Sequence, residues 1–299
     1  MPPSPPPPTP TYPLYNTTYT LHRLSPLHSF LPSSLPSHAT ALHEILTGST
    51  LRGVRIGLDT SSDALSRAGA LRSVTMRPLR SPAGWEAVHA VDEPDDTDAV
   101  DEEGWGVIIE IGYEKAGYTA ILLRDINGSV VEGEEGFTHL PLLLTRLPPP
   151  LRATLLEFLA TRFDTRASPL HLPSLFLKKA LGGYIDALVE GGGDVKSAVR
   201  DVVISLAFPA GGAMEGGELK TIDLTIPRDD LTGFLERGHS TSTTTTTPTT
   251  AAAKETAEHP LWTALQTYTT SHLSLSLSHP SVSVLKIACG AFVMAGEGR

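Results

Sequence analysis

One cysteine serves the whole of this chain of 299 residues. Cys289 alone cannot build a disulfide framework or a cysteine-based zinc site, and such scarcity fits a reducing compartment. Its setting, K-I-A-C-G-A-F, offers no polarising neighbour, so it reads as a small buried hydrophobe rather than a nucleophile. Long apolar runs are also missing. No stretch approaches the roughly 18 consecutive apolar residues of a membrane span. The start, M-P-P-S-P-P-P-P-T-P, has neither the basic region nor the apolar stretch of a signal peptide. The protein is therefore expected inside the cell and away from membranes. There the sequons at Asn16 and Asn127 carry no glycan, and they read as strand and turn.

Motifs that carry chemistry are equally scarce. His43-Glu44 begins like a zinc-protease helix, but the position of the second ligand holds Thr47. The glycine runs 182–183, 191–193 and 211–212 match neither G-x-G-x-x-G nor a phosphate loop, and no Lys-Ser/Thr follows them. Asp194, Asp201, Asp223 and Ser205, with the histidines, supply the residue types of a triad, without a strained G-x-S-x-G turn to expose a nucleophile. The acidic run 92–103 lacks the spacing of a calcium loop and reads as a solvated loop. No catalytic residue, metal ligand or cofactor follows from these residues, so an enzyme is disfavoured. The competing reading is an intracellular enzyme whose site gathers dispersed side chains such as His22, His43 and Asp59.

What the chain does have is paired strands. Residues 105–124 read W-G-V-I-I-E-I-G-Y-E-K-A-G-Y-T-A-I-L-L-R. Two runs rich in branched and aromatic residues, 107–113 and 118–124, flank a connector ending in Gly117, which predicts a hairpin. Few polar groups interrupt it, so it belongs inside a sheet. A second hairpin is predicted where Val202, Ile204, Leu206 and Phe208 alternate, followed by Ile222, Leu224 and Ile226. Strand periodicity also marks 13–27 and 51–58, alternation recurs at Leu273, Leu275 and Leu277, and 282–294 is a β-rich run. Helices are predicted at 39–46, 140–164 with a break at Pro148-Pro149-Pro150, 174–189, 229–237 and 261–272.

Together these predict an α+β fold with largely antiparallel sheets and helices between strand pairs. The expected organisation is a disordered Pro-rich tail at 1–12, one lobe at 13–146 holding the acidic loop 92–103, and a second at 147–299 holding a disordered Thr-rich insertion at 239–257.

Hydrophobic residues make up 40% of the chain, which fits a globular protein, and the net charge is -10. Charge is uneven: residues 1–91 carry seven Lys/Arg against four Asp/Glu. Two basic spots stand out, Arg72, Arg77 and Arg80 in the first half, and Lys178 and Lys179 with Arg162 and Arg166 shortly before. Their plainer reading is a solvated face. Their functional reading is contact with DNA phosphates, without base specificity.

At residues 13–27, P-L-Y-N-T-T-Y-T-L-H-R-L-S-P-L resembles the N-terminal signature of the fungal branch of the centromere protein L family. Residues 51–54, 112–124 and 286–292 are similar to the same family, so the resemblance spreads over nearly the whole ordered chain. It implies a non-enzymatic scaffold of mixed α/β fold with curved antiparallel sheets. It further implies pairing with a centromere protein N-like subunit as a heterodimer, within the inner-kinetochore network that engages centromeric nucleosomes and DNA. That places the protein in the nucleus, at the centromere and kinetochore of the chromosome. On this reading the β-rich end offers a sheet edge to the partner, with Val282, Val284, Ile287 and Phe292 as its contact residues. A net charge of -10 opposes DNA binding by the isolated chain.

Overall fold

The computed structural model describes residues 11–48, 67–85, 106–125, 136–208, 220–244 and 259–298. The tail 1–12 (but for its last two residues), the strand expected at 51–58, the acidic run 92–103 and most of the Thr-rich segment lie outside them. The chain divides into two compact units, Met1–Leu170 and His171–Arg299.

The first unit is built on a six-stranded sheet. Its strands are β1 (Thr20–Leu24), β3 (Leu71–Leu79), β4 (Gly106–Tyr113), β5 (Gly117–Leu123), β7 (Leu142–Arg146) and β8 (Ala167–Pro169), in the order β3-β4-β5-β7-β1-β8. Every neighbouring pair is antiparallel. The hairpin β4–β5 sits inside it, with Ile109 opposite Ala120 and Ile111 opposite Tyr118. Side chains alternate between two faces. Met76, Ile109, Ile111, Leu122 and Leu143 belong to a core closed by two helices, α1 (Leu35–Gly48) and α2 (Pro149–Phe163). Ile108 and Ile121 meet a smaller cluster in which Tyr12 and Tyr19 are buried and Trp85 packs alongside. Both faces of the hairpin are thus covered, which is why it carries so few polar residues. A short pair, β2 (Leu27–His28) with β6 (Phe137–Thr138), lies beside this sheet in sequence.

The second unit holds a four-stranded antiparallel sheet in the order β10-β9-β11-β12. Its members are β9 (Val202–Ala207), β10 (Thr221–Ile226), β11 (Ser283–Ala288) and β12 (Val293–Ala295). One core joins Val202, Ile204 and Leu206 of β9 to Leu181 and Ile185 of α3 (Ser174–Glu190), Phe234 of α5 (Arg228–Thr244) and Trp262 of α6 (Pro260–Leu273). Proline opens α2 and α6 and caps α3, as a residue without a donor can where the first turn leaves N–H groups unused. The short helix α4 (Val195–Val199) is capped by the Asp194 carboxylate, which accepts from the Lys196 N–H at 3.1 Å.

The α+β class and the antiparallel sheets agree with the sequence. Five expectations do not hold. Residues 13–16 form a turn, with Asn16 at φ 53°, so the strand expected over 13–27 begins only at Thr20. Residues 142–146 form the central strand β7 instead of helix, because an apolar run of this length covered on both faces has no periodicity to distinguish the two. Helix α2 contributes Leu151, Leu155 and Leu159 to the first core, so the units part at 170/171 and not near 146–150. Helix α5 runs on to Thr244, so 239–244 is helical rather than disordered. Leu273 ends α6, and Leu275 and Leu277 lie in a loop, with Leu277 buried in the second core.

Candidate interaction surfaces

The β-rich end does form strands, but its parts differ in access. Strand β11 lies between β9 and β12 and is internal. Val284 and Ile287, expected at a partner surface, face the core at 5% and 0% exposure. Val282 is half-buried against that core. Phe292 is also half-buried, and its ring meets Tyr184 of α3 edge-on at 5.5 Å. Strand β12 is one of the two edges of this sheet, β10 being the other. Cys289 N–H donates to Phe292 O at 2.9 Å and Gly296 N–H to Leu285 O at 2.7 Å. By the two-residue rhythm of an antiparallel ladder, Val293 and Ala295 turn their main-chain groups away from β11. Val293 is 57% exposed. Leu172 N–H bonds Gly296 O at 2.9 Å, at the end of this edge.

The four cations assigned to DNA separate into two pairs, one on each unit. Lys178 is half-buried, with its Nζ 5.4 Å from the centroid of the Trp262 ring, and its carbonyl accepts from Trp262 Nε1 at 3.0 Å. Lys179, one residue on, is exposed. Arg162 is exposed in the last turn of α2 and donates from Nε to His38 Nδ1 at 3.1 Å. Arg166 is exposed beside β8 and lines a pocket together with Arg23. In the first half, Arg72 is held by Glu114 at 3.1 Å and Arg77 by Glu110. These two are a solvated, paired face.

The histidines of the competing reading are placed by packing. His22 is a buried residue of β1, and burial chiefly, with Arg152 second, pushes its pKa below the ordinary value while a hydrogen bond at Thr20 opposes. His38 is buried against Phe30 and Phe163, and burial and then Arg162 lower its pKa too. His43 sits on α1, where the Thr47 hydroxyl bonds its carbonyl at 2.7 Å. Asp59 lies outside the described residues. Among the described residues no group of three His, Cys, Asp or Glu could hold a metal ion, and no helix is long and apolar enough to cross a membrane.

Reading the sequence locally missed the pocket that joins Arg23 to Arg166. The two are 143 positions apart, and no motif announces them; only the pairing of β1 with β8 brings them to one place.

The family model described as centromere protein L matches residues 13–299, nearly the whole chain. No curated protein matches it.

Proposed function

The chain belongs to the centromere protein L family, and on that basis we propose that it is a non-enzymatic structural subunit that pairs with a centromere protein N-like partner and links centromeric chromatin to the kinetochore. Membership makes it a centromere and kinetochore protein of the nucleus, part of an inner-kinetochore complex that serves chromosome segregation and cell division. The observation that supports pairing is the β12 edge. An edge strand that turns the main chain of Val293 and the N–H of Ala295 outward, the Ala295 carbonyl being taken by Gly298 N–H at 2.9 Å, and that exposes the Val293 side chain, fits a partner that adds a short strand. Phe292 immediately precedes that strand and Val282 immediately precedes β11, while Val284 and Ile287 hold β11 in place from the core side. DNA contact is reserved for the assembled complex, with Lys179 the cation best exposed for it.

The test is affinity purification from nuclei followed by mass spectrometry, comparing the unaltered chain with Ala295→Pro. Proline removes one outward donor and leaves the core side chains alone. The expected outcome is loss of one specific partner, with circular dichroism of the purified variant unchanged. Retention of that partner by a folded Ala295→Pro variant argues against the edge.

A further inference from the structure

A pocket of about 480 Å³ opens at the β1–β8 end of the first sheet. Arg23 faces Ser168 across the β1–β8 ladder. Arg166, two residues before Ser168, falls on the same side by strand alternation. Both arginines line the pocket, together with His139 and the hydroxyl-bearing Ser168. No Asp or Glu is among its described lining residues. Neither guanidinium enters an ion pair with a described residue, whereas Arg72 and Arg77 across the sheet are each tied to a glutamate. Like charges on neighbouring positions of a ladder repel. A concave site with two arginines that no described residue neutralises is one that an anion completes.

The site is also fixed in advance. Arg166 N–H donates to Ser25 Oγ at 2.8 Å, Ser25 N–H donates to Arg166 O at 3.1 Å, and the buried Thr165 donates from its hydroxyl to Ser25 O at 2.7 Å. The backbone that carries Arg166 is therefore anchored before any ligand arrives, which lowers the ordering cost of binding. Planar guanidinium groups suit the oxygens of a phosphoryl group.

We propose that this pocket binds the phosphoryl group of a phosphoserine or phosphothreonine in an extended segment of a partner protein. Two features favour a phosphorylated peptide over the backbone of DNA. The site is a recess that takes in an end group, not a line of cations along a convex rod. And β8 is the last strand of its sheet. The bonds Ser25 N–H to Arg166 O and Leu170 N–H to Leu21 O turn residues 166 and 170 toward β1, so Ala167 between them turns its main chain outward, where an extended segment can lie.

The experiment uses the full chain and three fluorescent probes, read by anisotropy: a peptide pool with central phosphoserine and randomised flanks, the same pool unphosphorylated, and a random-sequence DNA duplex. The phosphorylated pool is expected to bind at least about tenfold more tightly than its unphosphorylated counterpart, and Arg23→Gln or Arg166→Gln to remove about that factor each. Lys220→Gln, at an exposed cation of the other unit, is expected to leave phosphopeptide binding unchanged. Ser168→Asp, which places an acid in the pocket, is expected to abolish phosphate-dependent binding and serves if an arginine variant is unstable. Equal binding of the two peptide pools overturns the proposal. So does DNA binding that falls with the two arginine variants while phosphopeptide binding does not, since the pocket then belongs to nucleic acid.

Discussion

Arg162 Nε donates a hydrogen bond to His38 Nδ1 across 3.1 Å, tying the last turn of α2 to α1. The bond requires Nδ1 to be unprotonated. His38 is also enclosed by Phe30, whose ring stacks at 5.8 Å, and Phe163, edge-on at 4.8 Å. An exposed arginine of the expected DNA set is thus a structural residue that holds a neutral histidine between two helices.

Stability is therefore expected to fall on mild acidification. His22 and His38 both have folded-state pKa values below the ordinary 6.5, through burial first and then through Arg152 and Arg162. Below that value the unfolded chain binds more protons than the folded one. The stabilisation is complete above about pH 6.5 and is lost as pH falls from there through the lowered folded values. Urea unfolding from about pH 7 to about pH 5 checks this, with His38→Gln as comparison. Glutamine keeps an acceptor for Arg162 and does not titrate, so the variant's loss across that range is expected to be smaller. An equal loss in both proteins removes His38 from the acid response.

Gly238 of α5 passes under Pro260 of α6 so closely that a Cβ there would stand 1.9 Å from the Pro260 carbonyl oxygen. Gly238→Ala is expected to destabilise the second unit by about 1–3 kcal/mol, after helix propensity returns at most about 1 kcal/mol. Gly183, exposed on α3, has nothing within 4 Å of such a Cβ. Gly183→Ala is expected to stabilise by about 0.5–1 kcal/mol. Thermal melts of the two variants should move in opposite directions. Melts that move together would contradict the helix contact.

Residues on the C-terminal sheet should divide sharply. Val284→Asp or Ile287→Asp places an unpaired charge in the core and is expected to unfold the second unit. Val293→Asp, on the exposed edge strand, is expected to stay folded and to lose the partner. Circular dichroism with co-purification separates the two outcomes. A folded Ile287→Asp variant would show that Ile287 is not a core residue.

The parts of this fold that were legible in sequence are those whose signals are local. The β4–β5 hairpin is contiguous and closes on a turn at Gly117. Helix α3 has Pro173 before it and Gly191 after it. The parts that were not legible depend on distant neighbours. Residues 142–146 carry only a short apolar run, and their strand identity comes from β5 on one side and β1 on the other. Val284 and Ile287 look the same on an internal strand as on an edge. Their burial comes from the second core beneath the sheet, while β12, folding back on β11 through the Cys289–Phe292 turn, takes the edge that β11 would otherwise present. Arg23 and Arg166 carry no shared motif at all.

The lysines of α3 are expected to separate in function. Lys178 and Lys179 are adjacent, so on a helix they point about 100° apart. Lys178 turns inward over Trp262, where the cation and the ring attract by roughly 0.5–1 kcal/mol. Lys179 turns to solvent. In the partner-bound complex, Lys179→Glu is expected to weaken DNA binding uniformly across sequences and to lower the salt slope by about one. Lys178→Gln is expected instead to lower the melting temperature by a few degrees through the lost contact with Trp262, leaving the salt slope unchanged. The isolated chain, at net charge -10, is expected to bind DNA poorly at any salt concentration, since its overall field opposes a polyanion. Salt titrations of the complex with both variants check this. A slope that Lys179→Glu leaves unaltered takes α3 off the DNA path, and both lysines are then surface and packing residues alone.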